Sequence, residues 1–279
     1  MSHSTHNFQL GLIGYPLGHS LSPKIHTAAL HVCGLDGTYS LFPIAPDDMQ
    51  ALKDLLARVR SGGITGLNVT IPHKQNVIPF LDDLTPTAAA IGAVNTIYMR
   101  ENKLVGDNTD APGFLSDLKR SFDFSPIIDP SFALVLGAGG SARAVVYALL
   151  NDGWNVTLAA RRIEQAQQLA QSFQNYPLPI TNITDLPLST FHLLVNTTPV
   201  GMTPNIDQSP LPENTVLSKD TFIYDLVYNP RETKLVRDAR AQGLSAATGL
   251  GMLIEQAALA FELWTGYNPP REILYQALI

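Results

Sequence analysis

The chain contains a single cysteine, Cys33, so no disulfide can form within it, and a reducing compartment is expected. Cys33 lies in an apolar helical stretch and reads as a small core residue rather than a nucleophile. Charged residues make up only 15% of the chain, and no run of Lys or Arg occurs. With a net charge of −6 at pH 7, a nucleic-acid partner is not expected. No apolar run approaches the ~18 residues of a membrane-crossing helix. The first residues, MSHSTHNFQ, lack the apolar stretch of a secretory leader. A cytoplasmic protein acting away from the membrane is therefore expected. Repeats and low-complexity tracts are also absent.

What the chain does have is enough apolar sequence, 45% of 279 residues, for one or two well-cored domains. Its most informative stretch is Phe132–Leu149, FALVLGAGGSARAVVYAL. The apolar run Phe132–Leu136 reads as a buried parallel strand. It feeds into Gly137-Ala138-Gly139-Gly140-Ser141-Ala142, and an Ala-rich helical pattern follows. Strand, glycine turn and helix in this order suit a dinucleotide. Gly137 permits the tight turn, Gly139 leaves the backbone open to a pyrophosphate, and Ala142 lets helix and strand pack closely. The helix N-terminus offers N–H groups and a positive dipole end to phosphate.

The second strand of this unit, Trp154–Ala159, ends in Ala160-Arg161-Arg162, with no acidic residue until Glu164. An acid about 20 positions after the glycine turn bonds the ribose 2′-OH of NAD and repels the 2′-phosphate of NADP. Two guanidinium groups there favour the phosphate instead, so NADP is the expected cofactor.

Before this unit, Leu10–Ile13, Thr38–Ile44 and Gly66–Ile71 read as strands. Ser22 before Pro23 reads as an N-cap and first-turn pair, and this leaves Ser20 unexplained by capping. Asn68 and Thr70, two apart on the third expected strand, should share a face, with Lys74 just beyond. Ala93–Tyr98 and Lys103–Gly106 read as two strands joined at Arg100-Glu101-Asn102, and the polar run Gly106–Asp110 precedes a helix. Phe124–Pro130 is the best linker candidate. Alternating strands and helices predict an α/β chain of two domains, with parallel, doubly wound sheet.

A nicotinamide cofactor implies hydride transfer, so the protein must supply a proton donor for the reduced oxygen. Lys74 and Asp110 sit at polar strand and loop ends and suit that task. A zinc-dehydrogenase pattern is missing, since there is one cysteine and no paired histidines at helical spacing, and no metal is expected. His19, His26, His31 and His73 are scattered and read as structural or exposed. A tyrosine–lysine pair at short helical spacing is missing too.

Seven stretches taken together resemble the shikimate dehydrogenase family across nearly the whole chain. They are Ser20-Leu21-Ser22-Pro23 with His26, Asn68–Pro72 with Lys74, Ile91–Thr96, Gly106–Asp110, Gly137–Gly140, Asn196–Met202, and Gly249–Leu253 with Gln256. The resemblance implies NADPH-dependent, reversible reduction of 3-dehydroshikimate to shikimate, a step toward chorismate and the aromatic amino acids. It implies Lys74 as catalytic acid/base with Asp110 as its partner. It assigns substrate contacts to Ser20, Ser22, Asn68, Thr70, Asn95, Tyr228 and Gln256. The cofactor contacts it implies are Gly137, Ala138, Gly139, Gly140, Ser141, Ala160, Arg161, Arg162, Thr198, Leu226, Gly249 and Met252. It also implies a discontinuous substrate domain, 1–112 with 252–279, around a Rossmann-type NADP domain, 113–251, in a monomer or homodimer.

Two departures from the family pattern stand out. Ala160-Arg161-Arg162 replaces the usual Asn-Arg-Thr, and Pro86 stands where many members carry an acid. Two alternatives remain open. One is a quinate or dual quinate/shikimate dehydrogenase of the same fold. The other is a nucleotide sensor without catalysis, which the presence of both Lys74 and Asp110 disfavours.

Overall fold

The computed structural model describes residues 7–122, 131–182, 190–213 and 215–278. The expected linker, Phe124–Pro130, lies outside them. The chain is α/β and forms two compact units, Met1–Thr109 with Ile254–Ile279, and Asp110–Leu253.

The first unit opens with β1 (Phe8–Gly14), α1 (Ser22–Val32), β2 (Gly37–Pro43), α2 (Met49–Arg60) and β3 (Gly66–Val69). It continues with β4 (Asp83–Leu84), α3 (Pro86–Ile91), β5 (Thr96–Arg100) and β6 (Lys103–Asp107). Its six strands lie in the order β2-β1-β3-β5-β6-β4. The core gathers Leu52, Leu55, Leu56 and Val59 of α2 against Ile13, Leu67, Val69, Ile97 and Leu104 of the sheet. Those α2 positions recur at helical spacing on one face, which is why this segment is a helix.

The sheet is mixed rather than wholly parallel, because β5 runs antiparallel to both β3 and β6. Glu101 and Asn102 turn the β5–β6 hairpin with φ of 51° and 60°, both in the left-handed region. A two-residue turn of that kind matches the twist of paired antiparallel strands. The turn falls where the sequence placed it, at the Arg100-Glu101-Asn102 join.

Three local expectations are corrected. Ser22 is the first residue of α1 rather than its cap; the cap position is Leu21, with no side-chain hydrogen bond. Ser20 takes the capping task instead, its Oγ accepting from the Ser22 N–H at 3.3 Å. The strand expected to reach Ile71 stops at Val69. Beyond it, isolated bonds from Thr70 N–H to Ile13 O and from Tyr15 N–H to Ile71 O tie the chain to the end of β1. Pro72 then has no N–H to extend a ladder. Thr70 lies one residue beyond the strand, and a Cβ on Gly14, two residues after the Leu12 that pairs with Asn68, would meet its Cγ2 at 2.3 Å, so Thr70 and Asn68 lie toward the same face as expected. Cys33 is the C-cap of α1 and only half-buried, not a core residue.

The second unit begins with α4 (Asp110–Ser121) and β7 (Phe132–Leu136), followed by α5 (Gly140–Asn151), β8 (Asn155–Ala159), α6 (Ile163–Gln171) and β9 (Ile180–Thr181). Then come β10 (Leu193–Asn196), β11 (Phe222–Asp225), α7 (Lys234–Ala241) and β12 (Ala246–Thr248). The strand order is β12-β11-β10-β7-β8-β9, with every pairing parallel. Counted within the unit this is 6-5-4-1-2-3, the doubly wound dinucleotide order, with the switch point between β7 and β10. The apolar run Phe132–Leu136 read from the sequence is a central strand, buried from Ala133 to Leu136, and its neighbour Leu193–Asn196 is buried throughout. Gly243, just past the C-cap of α7, stops that helix with a φ of 82°. The chain ends in α8 (Leu250–Thr265) and α9 (Arg271–Gln276), and from Ile254 onward it belongs to the first unit.

Buried histidines in the first unit have consequences for stability. His26 is fully buried, its ring stacked on Tyr39 with centroids 4.4 Å apart. Burial pushes its pKa down to about 3, the nearby Asn68 side chain opposing the shift. The unfolded chain takes up this proton near pH 6.5 while the folded chain refuses it, so stability is complete above that pH. It falls as the pH drops from about 6.5 toward 3, with a slope of about 1.4 kcal/mol per unit. Urea titrations across that range should show this loss, and His26→Phe should flatten it. An unchanged slope in a folded His26→Phe protein would mean that other groups carry the acid sensitivity.

Candidate active site

In the first unit the polar residues collect at the carboxyl ends of β1 and β3, which pair with Ile13 opposite Val69. Just past these ends lie Ser20 and Ser22 on one side and Thr70 and Lys74 on the other. A tight turn carries the chain from Thr70 to Lys74, with His73 N–H donating to Thr70 O at 2.9 Å. His73 is buried and its Nε2 meets Ile44 O at 2.7 Å, which pins the turn. The carbonyl of Lys74 accepts from Val94 N–H at 2.7 Å, so the backbone of Lys74 adjoins that of Asn95. Lys74 is 9% exposed, a rare degree of burial for lysine.

Asn95 organises a network of amides and hydroxyls. Its Oδ1 accepts from Thr109 N–H at 2.7 Å and from Thr96 Oγ1 at 3.0 Å. Those donors fix the amide's orientation, so that Nδ2 faces Gln256 Oε1 at 3.3 Å. Asn68 Nδ2 donates to Asn95 O at 3.3 Å, and Asn68 Oδ1 accepts from Tyr39 O–H at 2.8 Å. Asn68, Asn95 and Gln256 are all buried. Three amides expected from separate stretches are thus joined in one hydrogen-bonded group. Tyr39 and Thr109 were not singled out by the sequence. Tyr39 lies 29 positions before Asn68 on another strand, and nothing in a linear pattern signals that pairing.

In the second unit the glycine turn has the geometry that phosphate requires. Gly137 has φ of 108°, and a Cβ there would meet Thr197 Oγ1 at 2.6 Å and Thr198 Cγ2 at 3.0 Å. The end of β7 therefore packs directly on the segment after β10, at the switch point. Gly139 is the N-cap of α5, with no side-chain cap, and a Cβ on it would enter open space. Ala138, Gly140 and Ser141 complete the turn and lie near its surface. This fits a pyrophosphate lying against the backbone. Gly137 N–H donates to Ala159 O at 2.8 Å, so the turn also adjoins the end of β8.

Ala160 is buried there, whereas Arg161 and Arg162 are exposed, and neither side chain makes a hydrogen bond or ion pair with a described residue. Arg162 is the N-cap of α6 and caps nothing with its side chain. Thr198 is half-buried, and its Oγ1 and N–H both donate to Asn196 Oδ1, at 2.7 and 3.0 Å. Leu226 and Gly249 come together so closely that a Cβ on Gly249 would lie 2.0 Å from Leu226 O. Met252 is buried in the first turn of α8, and Tyr228 is half-buried, burial raising its phenol pKa. Asp110 is the first residue of α4 and is buried. No group of three or more metal-ligating side chains occurs among the described residues.

Comparison with known proteins agrees along the length of the chain. Residues 12–97 match the shikimate dehydrogenase substrate binding domain, 124–237 the shikimate/quinate 5-dehydrogenase model, and 249–279 the shikimate 5-dehydrogenase C-terminal domain. The shikimate dehydrogenase (NADP(+)) of Carboxydothermus hydrogenoformans is 41% identical over 272 residues, 96% of this chain and 95% of its own. The chain belongs to the shikimate dehydrogenase family. A family structure from Thermus thermophilus, in complex with NADP(H) and shikimate, superposes with a TM-score of 0.85 at 40% identity, covering 97% of this chain and 98% of that one. The quinate dehydrogenase of Corynebacterium glutamicum in complex with NAD has a TM-score of 0.87 at 31% identity, covering 98% of this chain and 99% of its own. A shikimate dehydrogenase fold thus carries both substrate preferences, and the site residues must decide between them.

Proposed function

We propose that this protein is an NADP-dependent shikimate dehydrogenase, reducing 3-dehydroshikimate reversibly to shikimate on the way to chorismate and the aromatic amino acids. The observation that carries this reading is the buried Asn68–Asn95–Gln256 group. A set of oriented amides, with Ser20, Ser22 and Thr70 at neighbouring strand ends, suits a small polyhydroxylated acid. Tyr228 completes the substrate set. The substrate part lies in 1–112 and 252–279, and the nucleotide part in 113–251.

NADPH, when bound, would supply the hydride. Gly137, Ala138, Gly139, Gly140 and Ser141 would hold its pyrophosphate, and Ala160, Arg161 and Arg162 would take the adenosine end. Thr198, Leu226, Gly249 and Met252 would border the nicotinamide side. Lys74 donates the proton to the reacting oxygen and recovers it in the reverse direction, with Asp110 as its carboxylate partner. The net charge of −6 and the polar, amide-rich site support action on small molecules rather than nucleic acid; a cytoplasmic monomer or homodimer is part of the same proposal.

The test of the substrate is a comparison of kcat/KM for shikimate and quinate with NADP+. A site built to bond particular hydroxyls rejects a misplaced one strongly, so quinate should be poorer by at least about 100-fold. Comparable efficiencies would move the protein to the dual-substrate class.

A further inference from the structure

The carboxyl ends of β10 and β11 carry a buried polar pair that the chemistry above does not use. Asn196 and Asp225 stand opposite each other in the register, and neither side chain reaches solvent. Asn196 Nδ2 donates to Asp225 Oδ1 at 2.8 Å. The same oxygen accepts from Val227 N–H at 3.1 Å, and Asp225 Oδ2 accepts from Thr233 Oγ1 at 2.6 Å. Thr233 is buried too, and it caps α7 by accepting from Val236 N–H at 3.3 Å.

The carboxylate thus gathers donors from three segments, and the one after β10 packs on the nucleotide turn at Gly137 through Thr197 and Thr198. Through Asn196 it holds Thr198, whose N–H and Oγ1 both donate to Asn196 Oδ1. Through Val227 it holds the strand end that carries Leu226 and Tyr228. That segment is also tied to Asn196 by Leu226 N–H to Asn196 O at 2.9 Å, and to Gly249 by Gly249 N–H to Val227 O at 3.4 Å. Its three partners are all neutral donors. Burial accordingly pushes the Asp225 carboxyl up to about 6, with Thr233, Val227 and Asn196 opposing. A buried carboxylate in that state is held for the geometry it imposes rather than for net stability.

We propose that Asp225 is the positioning residue of the nucleotide site: on the reading of that site given above, its carboxylate holds the loop bearing Thr198 and the loop bearing Leu226 and Tyr228 in one arrangement. Replacing it by alanine leaves three donors facing a cavity, and both loops lose their common anchor. Asparagine is a different case. Its oxygen can keep Asn196 and Val227, while the Thr233 hydroxyl turns to accept from the new amide.

The test compares Asp225→Ala, Asp225→Asn, Thr233→Val and Thr233→Ser by NADPH fluorescence titration and by steady-state kinetics with NADP+ and shikimate. Asp225→Ala should weaken NADPH binding and raise the KM for NADP+ by roughly tenfold or more, and lower kcat by a similar factor. Asp225→Asn should stay within about threefold of wild type, Thr233→Val should lose several-fold, and Thr233→Ser should match wild type. A merely structural carboxylate would lower the melting temperature and leave these constants alone. The proposal is overturned if folded Asp225→Ala binds NADPH like wild type. If that variant does not fold, wild-type affinity in Thr233→Val overturns it equally. Should wild type bind NADPH but leave shikimate unoxidised, the activity reading fails, and the titrations still decide the positioning role.

Discussion

Lys74→Ala should lower turnover by roughly 10²–10⁴-fold, the range for loss of a general acid/base. That corresponds to about 3–5 kcal/mol of lost transition-state stabilisation. The expectation rests on where the structure puts this lysine. It is nearly buried, its backbone adjoins Asn95, and a turn pinned by buried His73 leads into it. Folding should survive, because the truncation removes a side chain from a polar site rather than from the core around Leu52 and Leu67. NADPH affinity should survive too, since the glycine turn belongs to the other unit. Circular dichroism and nucleotide titration check both points. A well-folded variant with near-normal turnover would remove Lys74 from the mechanism.

The second large effect concerns the adenosine end of the nucleotide. Replacing both Arg161 and Arg162 by alanine should raise the KM for NADP+ by roughly 10–100-fold, the size expected for lost charge-assisted hydrogen bonds to a phosphate. The KM for NAD+ should stay within about twofold, because NAD+ has no 2′-phosphate. Both side chains are exposed at the end of β8, and neither pairs with a described residue. Two positive charges at the start of α6 also oppose its dipole, a mild cost of about 0.3–1 kcal/mol each. Their removal should therefore leave the melting temperature unchanged or slightly raised. Solvated arginines with no ligand would give that thermal result without any change in nucleotide preference. Unaltered preference in the double variant, or equal use of NAD+ and NADP+ by wild type, would contradict the assignment.

How much of this was legible in the sequence differs between the two units. The second unit is built from central strands buried on both faces, and such strands read as continuous apolar runs. Phe132–Leu136 and Trp154–Ala159 were therefore visible with nearly their final limits, and Gly137 and Gly139 marked the phosphate turn directly. The first unit was harder. Its β5–β6 hairpin reverses the chain through Glu101 and Asn102, and neither residue is the glycine that usually signals left-handed φ. Thr70 looked like strand because β-branched residues suit strands, and its N–H does bond Ile13 O, but the regular pairing of β3 with β1 stops one residue earlier, at Val69.

The site was legible as residue types and only partly as geometry. Asn68, Asn95 and Gln256 could be named, but their joining requires a contact between positions 161 residues apart. Ser20 and Ser22 exchanged their expected capping roles, because Leu21, between them, holds the cap position of α1. The Asn196–Asp225–Thr233 group gave no linear signal, as each of the three alone reads as an ordinary strand end or helix cap. Only the register of β10 against β11 brings Asn196 and Asp225 together.

The most direct test of the activity is to incubate the purified protein with NADP+ and shikimate, follow the absorbance of the reduced nicotinamide, and identify the product by mass. The expected result is steady formation of NADPH and, in equal amount, a product lighter than shikimate by two hydrogens, the ketone 3-dehydroshikimate. Absence of NADPH formation from a folded protein that binds the nucleotide, or turnover confined to quinate, would contradict it.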